Sequence, residues 1–325
     1  MSPALLTLGL GLGLIAFAVF GPWLLRHAAP ALMRVPRLAI AVIGGGILVW
    51  LGTLLSIGPV LAWFGSGPAL LPERAAAVCQ RCLAAANPFD VGEVETAIPA
   101  ILLLAIPALL ILALLVGVSA QLMRRARRAR NAARLVLRDA HRRQLHGFAV
   151  SVVDARETFA LTFPHRHGGI IVSTGALDAL DHDELLAVLA HEHAHLRQRH
   201  HLISAIISSL AAFLRWVPVV RAAADALPHY LEIAADNEAR RHAGTPALVS
   251  ALIKLGERAA PAVAEHACAQ ALHAAGPERI RQLVRPTGGL AGAAPTVMIT
   301  AYLVVLGVAS AAVHLPYASA ALTGC

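Results

Sequence analysis

Four stretches of this chain run without an acidic side chain, a lysine or an arginine over lengths suited to a bilayer: residues 4–25, 38–72, 97–120 and 287–325. A hydrocarbon core about 30 Å thick needs about 20 apolar residues in a helix. Each stretch therefore supplies one span, with 295–315 as the fourth, and the chain reads as a multi-pass membrane protein. The composition agrees. Hydrophobic residues make up 58% of the 325 and charged residues 14%, against about 45–50% and about 25% in soluble domains. A disordered chain is excluded, and an ordinary soluble enzyme does not fit. The N-terminus lacks a basic segment and a small-residue cleavage site, so the first stretch reads as a span and not as a removed signal. The spans hold no acidic or basic residue of the kind that lines an ion pathway, which speaks against a transporter. Gly9 and Gly13 form a small-xxx-small pair suited to close packing within the bundle.

The arginines set an orientation. The first loop holds Arg26, Arg34 and Arg37, and a run from Arg124 to Arg143 follows the third span. The loop between spans two and three carries Glu73, Asp90, Glu93 and Glu95 against Arg74 and Arg81. Basic loops stay in the cytoplasm. The expected order is three spans over 1–120 with an extracytoplasmic loop at 64–96, a cytoplasmic domain over 121–290, and a last span with a short outer tail over 291–325. The expected location is a bacterial inner membrane. The net charge of +8 raises nucleic acid as a partner, but the arginine run abuts a span where a topology signal belongs. The bilayer is the partner read from it, with no direct nucleic acid contact. Cys79 and Cys82 lie in the outer loop, where a disulfide between them is compatible with an oxidising compartment.

The cytoplasmic region reads as mostly helical with a small sheet. Residues 148–153, 158–163 and 169–173 are short, β-branched runs divided by turn signals. Asp181 with Glu184 three residues on is a capping box that opens a helix to about Arg199. Pro228 is expected to open another, ending near Gly244, and Thr245-Pro246 to start one more. The uncharged run 202–214 is too short for a span and reads as a buried or re-entrant hairpin at the membrane surface.

The chemistry sits on the capped helix. His191-Glu192-His193-Ala194-His195 is an H-E-x-x-H pattern. Residues i and i+4 share a helical face, so both imidazoles can reach one metal ion. Imidazole suits zinc, which in a catalytic site takes three protein ligands and keeps one position open. Glu192, beside the first ligand, is placed to act as general base. His193 points away from the pair. Two residues compete for the third position. His201 has the spacing of a metzincin ligand, although Gln198 stands where that motif has glycine. Glu232, in Glu232-Ile233-Ala234-Ala235-Asp236, lies on a later helix, as in the gluzincins. Asp236 sits one turn on and can fix a ligand imidazole by a hydrogen bond. Arg240 and His242 follow on the same helix as candidates for oxyanion or substrate contact, and His165 and His167 read as solvated loop residues.

The sequence resembles the integral-membrane gluzincins: the HtpX and CAAX-prenyl-protease type and, more closely, the BlaR/MecR antirepressor peptidases. The residues that carry the likeness are Ile171–Leu177, Leu186–His195 and Glu232–Asp236. The resemblance implies a membrane bundle with a cytoplasmic zincin-like domain. It implies one zinc ion per chain bound by His191, His195 and Glu232, with Glu192 as base. It further implies that the strand near Ile170–Ser173 is an edge along which an extended peptide could lie. Three spans before the domain and one after match the antirepressor type. The expected activity is zinc-dependent endoproteolysis of a cytosolic protein, a transcriptional repressor. A quality-control protease for membrane proteins and a non-catalytic zinc-stabilised scaffold are the competing readings. A homo-oligomer is compatible with the sequence, which sets no stoichiometry.

Overall fold

The structure, a computed structural model, describes residues 3–68, 70–88, 94–95, 97–257, 283 and 290–323. It is mostly α-helical. Among the described residues, helices α1 (Pro3–Leu32), α2 (Pro36–Ala62), α4 (Ala100–Val136) and α9 (Ala293–Thr323) are the four long and apolar enough to cross a membrane. Between α2 and α4 lie β1 (Gly65–Ser66), the helix α3 (Glu73–Ala86) and β2 (Val94–Glu95), with β1 and β2 paired in parallel.

Helix α4 runs beyond its apolar stretch, and α9 beyond the expected span at 295–315. Helix α4 has 37 residues, about 55 Å at 1.5 Å per residue, well beyond a hydrocarbon core of about 30 Å. Its last four turns carry the arginines out of the apolar zone. Helix α9 continues through Thr323, where a short outer tail was expected. The added turns are held to the end of α2: the Tyr317 hydroxyl donates to the Pro59 carbonyl at 2.7 Å, and its ring stacks on Trp63 at 5.4 Å.

The cysteine expectation needs correcting. Cys79 keeps a free thiol, while Cys82 is disulfide-bonded, so the two do not bridge each other. The other cysteines, Cys268 and Cys325, lie outside the described residues.

The sheet has four strands in the order β3-β4-β6-β5. The expected runs appear as β4 (Phe148–Val153), β5 (Ala160–Thr162) and β6 (Ile170–Ser173). The added strand is β3 (His141–Leu145), antiparallel to β4. It was hidden because its exposed residues His141, Arg142, Arg143 and Gln144 are polar, as an edge strand tolerates. Strand β6 is parallel to β4 and antiparallel to β5. It is therefore interior, and the expectation that it forms the edge is overturned: β5 covers it. Side chains alternate across the sheet. Val150, Val152, Ile170 and Val172 pack on one face with Leu185, Val188 and Leu189, whereas Ile171 meets Phe163 and Ala133 of α4 on the other.

Helix α5 (Thr174–Ala179) leads to α6 (His182–Arg197), which starts at the predicted capping box: the Asp181 carboxylate accepts from Glu184 N, and Glu184 accepts from Asp181 N. Arg199, in the left-handed region at φ 53°, reverses the chain into α7 (His200–Leu214). Helix α8 (Pro218–Glu257) follows. It begins ten residues before Pro228, which lies inside it, so the proline that opens this helix is Pro218 and not Pro228. Gly244, at φ 82° and ψ 167°, breaks it ahead of Thr245-Pro246; glycine reaches that conformation without a Cβ penalty.

Helices α7 and α8 form a hairpin that packs on the spans. A Cβ on Gly117 of α4 would lie 2.6 Å from Phe213 Cζ, and one on Gly21 of α1 would lie 2.5 Å from Val219 Cγ2. Val217, Val220, Leu227 and Leu231 join Leu14, Phe17, Ile43 and Trp50 of the spans in one apolar core. Helix α6 then packs against α8, which brings their facing side chains together beside the sheet.

Candidate metal centre

The three donors predicted from sequence meet. His191, His195 and Glu232 each offer one ligand atom, and these atoms lie within 4.8 Å of one another. The Nε2 atoms of His191 and His195 are 3.0 Å apart. Glu232 places Oε2 3.5 Å from the first and Oε1 3.5 Å from the second. All three residues are buried.

The hydrogen bonds behind the imidazoles decide which nitrogens face inward. His191 Nδ1 lies 3.0 Å from Asp236 Oδ1. A carboxylate only accepts, so the proton sits on Nδ1 and the Nε2 lone pair points to Glu232. His195 Nδ1 lies 3.0 Å from Nδ1 of His200, whose Nε2 is 3.3 Å from Gln198 Oε1. An amide oxygen also only accepts. His200 therefore carries its proton on Nε2 and accepts at Nδ1 from His195. Burial drives the His200 imidazole down to about 4, which keeps it neutral at pH 7. Both Nε2 lone pairs thus converge with the Glu232 carboxylate. Two neutral imidazoles and one carboxylate form a donor set that suits a zinc ion.

Glu192 is 3% exposed. The Thr162 hydroxyl on β5 donates a short hydrogen bond to its Oε2 and ties the edge strand to this carboxylate. His193 sits outside the cluster with its ring 5.2 Å from Phe148, and burial holds its pKa below the usual value. His201 does not join the cluster among the described residues, whereas Glu232 does. His242 is bonded through Nδ1 to the carbonyl of Glu238 at 2.9 Å and lies near His193. Arg240 is half-buried one turn beyond Asp236. His165 is exposed, and His167 receives a bond from Arg130 Nε at 3.4 Å.

Two residues of this neighbourhood escaped sequence reasoning. Thr162 gave no signal beyond its place in a β-branched run. His200 follows the second histidine by five residues, a spacing that is informative only if the helix stops and turns at Arg199.

Glu238, one turn past the cluster side of α8, connects the site to the membrane loop. Its carboxylate meets Arg197 at 2.7 Å, Arg241 at 3.2 Å and Arg37, at the base of span two, at 3.8 Å.

The sequence model of peptidase family M48 matches residues 119–285, a segment that contains the sheet, α6, α7 and α8. No curated protein and no solved structure matches the chain. With the match covering more than half of the sequence and its segment holding the converging donors, the chain belongs to the M48 family of metallopeptidases.

Proposed function

We propose that this membrane protein is a zinc-dependent endopeptidase of the gluzincin type, with His191, His195 and Glu232 as ligands and Glu192 as general base. The convergence of two Nε2 lone pairs and the Glu232 carboxylate at one point carries the reading. A zinc ion held there supplies Lewis acidity toward a peptide carbonyl and toward water. The chain's own residues do the rest. Glu192 takes a proton from the attacking water and returns it to the departing amine. Thr162 holds the Glu192 carboxylate in one orientation. Asp236 and His200 keep the imidazole protons on Nδ1. The substrate enters as an extended strand beside β5, because β5 ends the sheet on the side where Thr162 meets Glu192.

The site faces the cytoplasm in this reading. The arginine-rich loops lie on its side, with Arg37 within 3.8 Å of Glu238. The disulfide-bonded Cys82 lies in the opposite loop, in keeping with an oxidising exterior. The substrate class is a cytosolic transcriptional repressor, a reading that rests on three spans before the peptidase segment and one after. The closeness of the site to the bilayer favours a second class, membrane proteins cut for quality control. Purified protein in detergent should hold one zinc per chain and cut the substrate, and Glu192→Gln should keep the zinc and lose the cutting. Zinc bound with no cutting that depends on Glu192 would defeat the enzymatic assignment in favour of a zinc-stabilised scaffold. Fragments of a neighbouring repressor, against fragments of membrane proteins, separate the two substrate classes.

A further inference from the structure

The face of the sheet away from α6 carries a second cavity, of about 670 Å³, between the outer turns of α4, the edge strand β3 and the turn at 165–167. Arg130 and Arg134 reach it from one face of α4, Arg142 from β3, and Arg166 and His167 from the turn. Among the described residues none of its lining side chains is acidic, and none of the four guanidiniums makes an ion pair with a carboxylate. Of the arginines outside the cavity, Arg37, Arg197 and Arg241 pair with Glu238, and Arg215 and Arg221 with Asp225. His167 accepts from Arg130 at Nε2, so its proton sits on Nδ1. That Nδ1 is buried with no hydrogen-bond partner. Four cations and an unused N–H donor around one cavity repel one another unless an anion joins them.

The chemistry of the donors selects the anion. A guanidinium presents a rigid fork that matches phosphate oxygens two at a time. A single carboxylate would leave most of these donors unsatisfied, whereas linked phosphates bring several charges and acceptors in one small ligand. The volume suits such a ligand, since binding cavities for small molecules run from roughly 300 to 1,000 Å³. We propose that this cavity is a binding site for a ligand bearing several negative charges on phosphate, either a soluble polyphosphate compound or the headgroup of an anionic phospholipid. It is separate from the metal centre and independent of the peptidase assignment.

Titration of the full-length protein with tripolyphosphate in a non-ionic detergent tests it. Saturable binding at one site per chain is expected. Arg134→Gln/Arg142→Gln should weaken it more than about tenfold, as should Arg166→Glu, a change on an exposed turn that leaves the core untouched. Arg124→Gln/Arg128→Gln removes the same charge from α4 outside the cavity and should change affinity less than about threefold. Equal weakening by both double variants would show diffuse attraction to the arginine run and would overturn the proposal, as would binding without saturation. Repeating the titration in nanodiscs names the source. If phosphatidylglycerol raises the apparent Kd for tripolyphosphate about tenfold over phosphatidylcholine, the occupant is a lipid headgroup. If the two bilayers give the same Kd, it is the soluble ligand.

Discussion

Nδ1 of His200 lies 3.0 Å from Nδ1 of His195, and through this contact the second imidazole gains the support that Asp236 gives the first. Partners of this kind typically contribute 10- to 100-fold in metal affinity. His200→Ala and Asp236→Ala should each weaken zinc binding by about that factor, read by competition with a chelator. Glu192→Gln should leave the affinity unchanged. An unaltered affinity in both supporting variants would mean that Nδ1 is not where the imidazoles are held.

Thr162 offers a separate test, because it touches the base and none of the three donors. A hydrogen bond to a charged group contributes about 1.5–3 kcal/mol. Thr162→Val should lower kcat about tenfold to a hundredfold while zinc content and KM stay near wild type. Thr162→Ser, which restores the hydroxyl, should recover most of the rate.

The capping box predicts a pH dependence of stability. Glu184 is almost fully buried, and burial alone would raise its pKa. The Lys254 ammonium at 2.6 Å, the Ser250 hydroxyl and the Asp181 amide outweigh this and hold it below 4.5. A carboxylate with a lowered folded-state pKa stabilises the fold above its unfolded value and loses that stabilisation as pH falls through the folded value. Lys254→Met should therefore cost roughly 1 kcal/mol at pH 7, a modest figure because Lys254 is 37% exposed. The gap in Tm between wild type and variant should narrow as the pH drops below 4.5. A gap that stays constant down to pH 3 would count against the pairing.

Much of this architecture was legible because local rules and tertiary structure agree. The apolar stretches are unambiguous in length, Asp181 and Glu184 form their box within four residues, and the i, i+4 histidines need only a helix to converge. The misses have the opposite character. Pro228 looked like a helix start, but α8 is secured by burial of Leu227, Tyr230 and Leu231 in the shared core and tolerates proline in its path. Strand β3 is made of residues that carry no β signal and gains its order from pairing with β4. His200 matters only because the chain reverses at Arg199, a left-handed residue with no glycine to announce it. The state of Cys79 and Cys82 depends on which cysteines meet in space, and spacing does not encode that.

Two glycines of α1 provide a paired test of how the spans hold the peptidase segment. A side chain on Gly21 would collide with Val219 of α8, while Gly9 has nothing within 4 Å. Overpacking costs about 1–3 kcal/mol. Gly21→Leu should lower the thermal midpoint in detergent by several degrees and Gly9→Leu should not, as followed by scanning fluorimetry.

The apolar core that Val217, Val220, Leu227 and Leu231 share with Leu14, Phe17 and Trp50 makes the first two spans a wall of the peptidase, not merely its tether. A shortened chain starting after the third span would bare that wall to water. Such a fragment should clump on expression even though His191, His195 and Glu232 are all present, and soluble domains of this chain are the wrong starting material for an assay.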